Sequence, residues 1–230
     1  MEVKLISYPQ ETELIANIAA MICYSGEKDF DTIQSKAKEK PETYLQNIIK
    51  CGHLSILEHN IFVFYLSGVS RALTHQLVRK RIASYSQQSQ RYVDVSEVPY
   101  ITPSSIKKSP LVKKYEEITK NLFIFYKEMV DSGIPKEDAR YILPNSTTSQ
   151  LVVSMNAHAL IEFFSRRCCV RAQSEIRTLA FKMLDEVKKI APTLFKNSGA
   201  YCTFYGYCPE EGNSCGKAPT LSVLLKEYKQ

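Results

Sequence analysis

NIFVFYLSGVSRALTHQLVRKRIASYSQQSQRY, residues 60–92, passes from an apolar run to a basic, hydroxyl-rich one without a single Asp or Glu. Residues 60–68 are too continuously apolar for a half-exposed strand, which places them inside a sheet. Val69, Ala72, Leu73, Gln76 and Leu77 then fall on one face at helical spacing, predicting a helix from Ser70 to about Arg79. From there Ser and Gln crowd the chain, so a loop is expected over 79–92.

The same reading extends outward. VKLISY near the start is a predicted strand, and Leu14, Ile15, Ile18, Ala19 and Ile22 give Glu11–Tyr24 a helical period, with a further helix over Pro41–Cys51. After a loop around Pro99–Pro110, Leu111–Asp131 is a long amphipathic helix stopped by Gly133 and Pro135. TTSQLVVSM, residues 147–155, is β-rich, Asn156 is placed to cap a helix from Ala157, and another helix spans Ala172–Ala191. Strands interspersed with long helices indicate the α/β class of the α+β type, a mixed or antiparallel central sheet covered by helices. No repeat or linker divides the chain. The expectation is one domain over 1–230, with 199–230 a cysteine-containing C-terminal extension.

The formal net charge of +6 matters less than its distribution. From His59 to Val93 there is no acid, while Arg71, Arg79, Lys80, Arg81 and Arg91 supply five positive charges. A second acid-free run, Ala139–Ile161, carries Arg140 and leads into Arg166, Arg167 and Arg171. An anion site built from both runs is expected. The plainer reading of Arg79, Lys80 and Arg81 is a helix C-terminus, whose carbonyls attract cations by about 0.3–1 kcal/mol. Against it, Ser84, Ser86, Ser89, Gln87, Gln88, Gln90, Arg91 and Tyr92 offer more hydrogen-bonding groups than a solvated helix end needs.

Several chemistries are excluded. No GxGxxG occurs, and GNSCGK, residues 212–217, is one residue short of a P-loop and is followed by Ala218. A phosphate must therefore be held by cationic and hydroxyl side chains, with Arg giving bidentate geometry. His53, Glu58 and His59 lack a metal-site pattern and read as a satisfied polar cluster, and Cys202, Cys208 and Cys215 are spaced too irregularly for zinc, so no metal is expected. Seven cysteines, an odd number, behind an N-terminus without a signal-peptide pattern point to reduced thiols and the cytoplasm. No apolar run is long enough to span a membrane. Ser89 has only amides and cations around it in sequence, which suits a ligand contact better than a nucleophile.

Arg79, Lys80, Arg81, then seven residues, then Ser89 with Arg91 and Tyr92, resembles the signature of the flavin-dependent thymidylate synthases, in which Arg-His-Arg is followed after seven residues by Ser. The resemblance extends to GHLSILEH (52–59), HQLVR (75–79), ARYILPN (139–145) and NAHALIEFFSRRCCVRAQSEI (156–176), most of the chain to about residue 190. Lys80 departs from the usual His. The resemblance implies flavin contacts at Ser55, Arg79, Lys80, Arg81, Gln87, Asn156, His158 and Glu162, the last being Asn in some relatives. It implies dUMP contacts at Gln76, Arg79, Gln87, Gln88, Ser89, Gln90, Arg91, Arg140 and Arg167, drawn from different subunits of a homotetramer.

Asn156, Leu160, Phe163 and Arg167 lie at i, i+4, i+7 and i+11, so a guanidinium extends an apolar helical stripe. That geometry alone fits a snorkelling residue as well. The resemblance makes Arg167 the catalytic residue that polarises the uracil ring. The implied reaction is reductive methylation of dUMP to dTMP, with methylenetetrahydrofolate as carbon donor, FAD carrying the hydride and NADPH as reductant. No nucleic-acid or membrane partner is expected. Two other readings stay open on the residues: a basic RNA- or DNA-binding module, and a flavin- or nucleotide-binding protein without turnover.

Overall fold

The computed structural model describes residues 1–227. Four strands, β1 (Glu2–Ser7), β2 (Ile61–Ser70), β3 (Ser84–Gln87) and β4 (Thr148–Asn156), form one antiparallel sheet in the order β1-β2-β4-β3, and helices make up most of the rest, as the α+β reading expects. The chain divides into two compact units, one of residues 1–3, 65–79 and 85–153, the other of 4–64, 80–84 and 154 onward.

The first unit carries α4 (Arg71–Leu77), α5 (Ser104–Lys107), α6 (Val112–Asp131) and α7 (Lys136–Ala139). Ser70 ends β2 and starts α4, its hydroxyl accepting from the Leu73 backbone N–H at 3.0 Å. The helix stops sooner than its pattern implies, with Val78 as its C-cap. Tyr126, fully buried on α6, packs with Val95 and Ala139 and with the partly buried Met129 and Ile142. Past the end of α6, Gly133 adopts φ +87°, the left-handed turn that frees the Ile134 N–H to bond Met129 O at 3.0 Å.

The second unit holds α1 (Thr12–Tyr24), α2 (Phe30–Lys38) and α3 (Glu42–Lys50), then α8 (Ala157–Arg167), α9 (Ser174–Ile190), α10 (Pro192–Phe195), α11 (Tyr201–Tyr205) and α12 (Leu221–Glu227). Its core is aromatic. Phe62 of β2 meets Phe195 edge-on at 5.5 Å, and Phe164 of α8 meets Phe195 at 6.2 Å. Each such side chain contributes about 1.5–3 kcal/mol on burial. The 156 cap forms as the sequence implies, Asn156 Oδ1 accepting from Ala159 N–H at 2.8 Å.

Two sequence readings need correction. Residues 84–87, expected in a loop, form edge strand β3, because Tyr85 and Gln87 point to partly buried positions while Ser84 and Ser86 face solvent, a period-2 pattern that polar residues disguise. Residues 60–68 are inside the sheet but not uniformly buried: Phe62, Phe64 and Leu66 are fully buried, whereas Ile61 is exposed and Val63 and Tyr65 are half-buried, so β2 alternates after all. Tyr65 uses that face to donate to Gln150 Oε1 at 2.6 Å. Helix α2 has no counterpart in the sequence reading.

Candidate functional site

On α8 the buried residues are Ala157, Ala159, Leu160, Ile161, Phe163, Phe164 and Ser165, and Arg167 ends the helix. The residues left over, His158, Glu162 and Arg166, recur at i, i+4 and i+8 and form a polar stripe. Glu162 is the first acid after the second acid-free run. Its Oε2 accepts a hydrogen bond from Lys80 Nζ, and its Oε1 lies 3.8 Å from His158 Nε2. His158 Nδ1 in turn lies 2.9 Å from Glu58 Oε1. The Lys80 hydrogen bond holds the Glu162 carboxyl below its ordinary range, with His158 and Arg166 adding to the effect and partial burial opposing it. Lys80, Glu162, His158 and Glu58 thus form a continuous chain of polar contacts within the second unit, with an ion pair between Lys80 and Glu162. Glu58 was read from the sequence as part of a satisfied polar cluster, and it is bonded, though to His158 and not to His53 or His59. Among the described residues no three His, Cys, Asp or Glu side chains gather as a metal site.

Ser55 sits exposed in the 3-10 turn Leu54–Leu57 and borders a largely apolar cavity of about 550 Å³ with Ile18, Ile22, Phe30 and His59. Arg81 is exposed just after Lys80. Arg167 ends α8, half-exposed, where the Leu160 and Phe163 stripe runs out. It lines a cavity of about 610 Å³ with Arg166, Arg171 and three thiols of the tail, Cys202, Cys208 and Cys215. Arg171 donates to Asn213 O, which ties the GNSCGK segment back to the connection between α8 and α9. All seven cysteines are unpaired. Burial pushes the Cys168 thiol up to about 12, so it is no thiolate nucleophile.

In the first unit a third cavity, about 330 Å³, is lined by Arg71, His75, Gln90, Arg140, Tyr141 and Asn145 among others. It has no carboxylate. Burial lowers the pKa of Arg71, and the neighbouring Arg140 guanidinium lowers it further, a like-charge arrangement that an anion would relieve. The remaining residues named from sequence are more committed. Gln87 Nε2 donates to Ser149 Oγ at 3.1 Å and Thr74 Oγ1 at 3.3 Å, Gln88 N–H bonds Gln150 O at 2.9 Å, and Ser89 Oγ accepts from Arg91 N–H at 3.1 Å. Arg91 pairs with Glu137, Nη2 to Oε2 at 2.7 Å, and this hydrogen bond raises its pKa. Gln76 is half-buried on α4, and Arg79 is exposed just beyond its end. The structure therefore brings Gln90 and Arg140 together, and separately Lys80, His158 and Glu162. Sequence reasoning counted Arg71 in the charge of its run and placed His75, Tyr141 and Asn145 within matching motifs, without giving any of the four a ligand contact. The signal for Arg71 and His75 was their i, i+4 spacing, which a helical reading places on one face of α4.

Residues 4–193 match the family model described as thymidylate synthase complementing protein. The flavin-dependent thymidylate synthase of Geobacter sulfurreducens is 42% identical over 231 residues, covering 99% of both chains. The chain belongs to the flavin-dependent thymidylate synthase family. A second member, from Clostridium tetani, is 44% identical and is covered to 96%, with 97% of this chain matched. The UMP/dUMP methylase PolB of Streptomyces cacaoi, 24% identical, superimposes with a TM-score of 0.72 over 85% of this chain and 93% of its own, and so shares the fold. Within this family membership Lys80 keeps its departure from the usual His, and the structure gives that departure a carboxylate partner.

Proposed function

We propose that this chain converts dUMP to dTMP by reductive methylation, with methylenetetrahydrofolate supplying the carbon and NADPH the electrons. In balance, dUMP, methylenetetrahydrofolate, NADPH and a proton give dTMP, tetrahydrofolate and NADP⁺. The observation that carries the reading is the identity of 42% with a flavin-dependent thymidylate synthase over 99% of both chains. FAD, when bound, supplies the hydride chemistry. The residues present fit such a group: Arg79 and Arg81 are exposed with no acidic partner among the described residues, Ser55 presents a hydroxyl, and the Asn156 cap uses only Oδ1. Those donors suit a diphosphate, which needs cations and hydrogen-bond donors.

The chain's own groups bind and polarise. Arg71, Arg140 and Gln90 hold the phosphate of dUMP, with Ser89 and Arg91 as further contacts. Arg167 directs its guanidinium at charge developing on the pyrimidine, and losing such a donor typically costs about a hundredfold to a thousandfold in rate. No thiol is required as a nucleophile. Subunits share the sites in a homotetramer; the exposed Ile118, Ile124 and Phe125 on α6 are the apolar surface that favours self-association. Among the described residues no helix is long and apolar enough to cross a membrane, and the enzyme works in the cytoplasm with its thiols reduced.

Purified protein is expected to be yellow, to bleach with NADPH without oxygen, and to form dTMP when dUMP and methylenetetrahydrofolate are present. Protein that stays colourless after incubation with FAD rejects the proposal, and flavin uptake without dTMP leaves a binding protein. Arg167→Ala should lose dTMP formation while retaining flavin; wild-type turnover in that variant removes Arg167 from catalysis.

A further inference from the structure

Glu162 is out of place among groups that face a diphosphate. A carboxylate offers a phosphate oxygen no donor and repels it. Its oxygens here are turned to other work: Oε2 takes the hydrogen bond of Lys80, whose side chain is only 15% exposed, and Oε1 faces His158 at 3.8 Å. His158 continues to Glu58 at 2.9 Å. Three separate pieces of chain meet in this relay, the basic segment 80–84, helix α8, and the residue just after the turn that carries Ser55.

We propose that Glu162 is a positioning residue: by holding Lys80 and His158 together it fixes the basic segment and the Ser55 turn against α8 before ligand arrives, and Lys80 serves this lock instead of reaching the flavin. The proposal rests on the flavin-binding reading above. Lys80 and Glu162 then act as one unit. With its ammonium neutralised locally, Lys80 adds little to the anion field, which falls to the guanidiniums on either side of it, Arg79 and Arg81. The titratable and charged groups facing the pair are His158 and Arg166 on α8 and, from α11, Tyr205, whose pKa burial raises and the Glu162 carboxylate raises further. Removing either partner leaves the other half-buried and uncompensated, which is worse than removing both.

The test uses the full-length protein stripped of flavin, as wild type, Glu162→Gln, Lys80→Gln and the double variant. FAD affinity is read by titration of flavin fluorescence, and backbone hydrogen exchange over residues 80–84 is read without FAD. Each single change is expected to weaken FAD by about tenfold or more, the double variant to be no weaker than the worse single one, and exchange to quicken by about tenfold in each single variant. Losses that multiply in the double variant, with exchange unaltered, mean that both side chains touch the flavin directly and overturn the lock. Tighter FAD binding by Glu162→Gln overturns it too, by making the carboxylate a mere repulsive neighbour. Quickened exchange in a protein that never takes up FAD upholds the lock and defeats the flavin reading instead.

Discussion

The Arg71–Arg140 cavity and the Lys80–Glu162–His158–Glu58 relay draw on the same two cationic stretches of sequence and end electrostatically opposite. Two guanidiniums line the cavity without a carboxylate, and burial together with the neighbouring Arg140 disfavours the charge of Arg71. Along the relay the ammonium of Lys80 meets the Glu162 carboxylate, and the imidazole of His158 lies between two carboxylates. A cation without an acid is a binding group waiting for an anion; a cation with one is part of the scaffold. Arg91 stands between the cases, paired with Glu137 at the surface where both side chains are about half-exposed, so that water screens the pair and a ligand can take its place.

The contrast breaks most visibly if Arg140→Ala leaves dUMP binding intact. Calorimetry should instead record a loss of about 1.5–3 kcal/mol, the range for a charge-assisted hydrogen bond, and deoxyuridine, which lacks the phosphate, should bind the variant and the wild type alike. The relay is expected to show itself in stability instead. Glu162→Gln should cost up to about 1 kcal/mol by urea denaturation at neutral pH, solvent exposure of the carboxylate limiting the effect. Because the folded Glu162 pKa lies below its ordinary value of 4.5, the pair stabilises above that value and its contribution disappears as pH falls through the lowered folded pKa. The variant and wild type should therefore converge in acid, and a gap that persists there assigns the loss to packing.

Arg71→Met sharpens the comparison from the other side. Removing one of two repelling guanidiniums should stabilise the ligand-free protein by about 0.5 kcal/mol while weakening dUMP, the trade expected at a binding site; a lower melting temperature means that Arg71 has a structural duty instead. The smallest effect belongs to Glu137→Gln, which releases Arg91. Its melting temperature should hold steady and dUMP affinity should rise by less than about threefold. A fall in affinity would place Glu137 among the groups that orient Arg91 for the ligand.

Much of the architecture was legible because it is written locally. The period of α6, its stop at Gly133, and the Asn156 cap of α8 each depend on residues a few positions apart, and each formed where the pattern put it. Strand β3 was hidden because its alternation runs through Ser, Tyr and Gln, whose burial is set by the neighbouring strand and not by their polarity. Candidate site residues were legible through an unusual spacing of Arg, Lys and Ser. Their pairings were not, since Gln87 finds Ser149 across 62 positions and His158 finds Glu58 across 100.

By itself the sequence determined where positive charge is concentrated, which helix ends in Arg167, and which reaction family those motifs resemble. Tertiary structure decided which of the cations keep their charge unanswered. Acids missing from a run of sequence return from distant segments, because folding brings opposite charges within a few ångströms regardless of how far apart the chain encodes them, and Coulomb attraction depends on that distance and the surrounding dielectric, not on sequence separation.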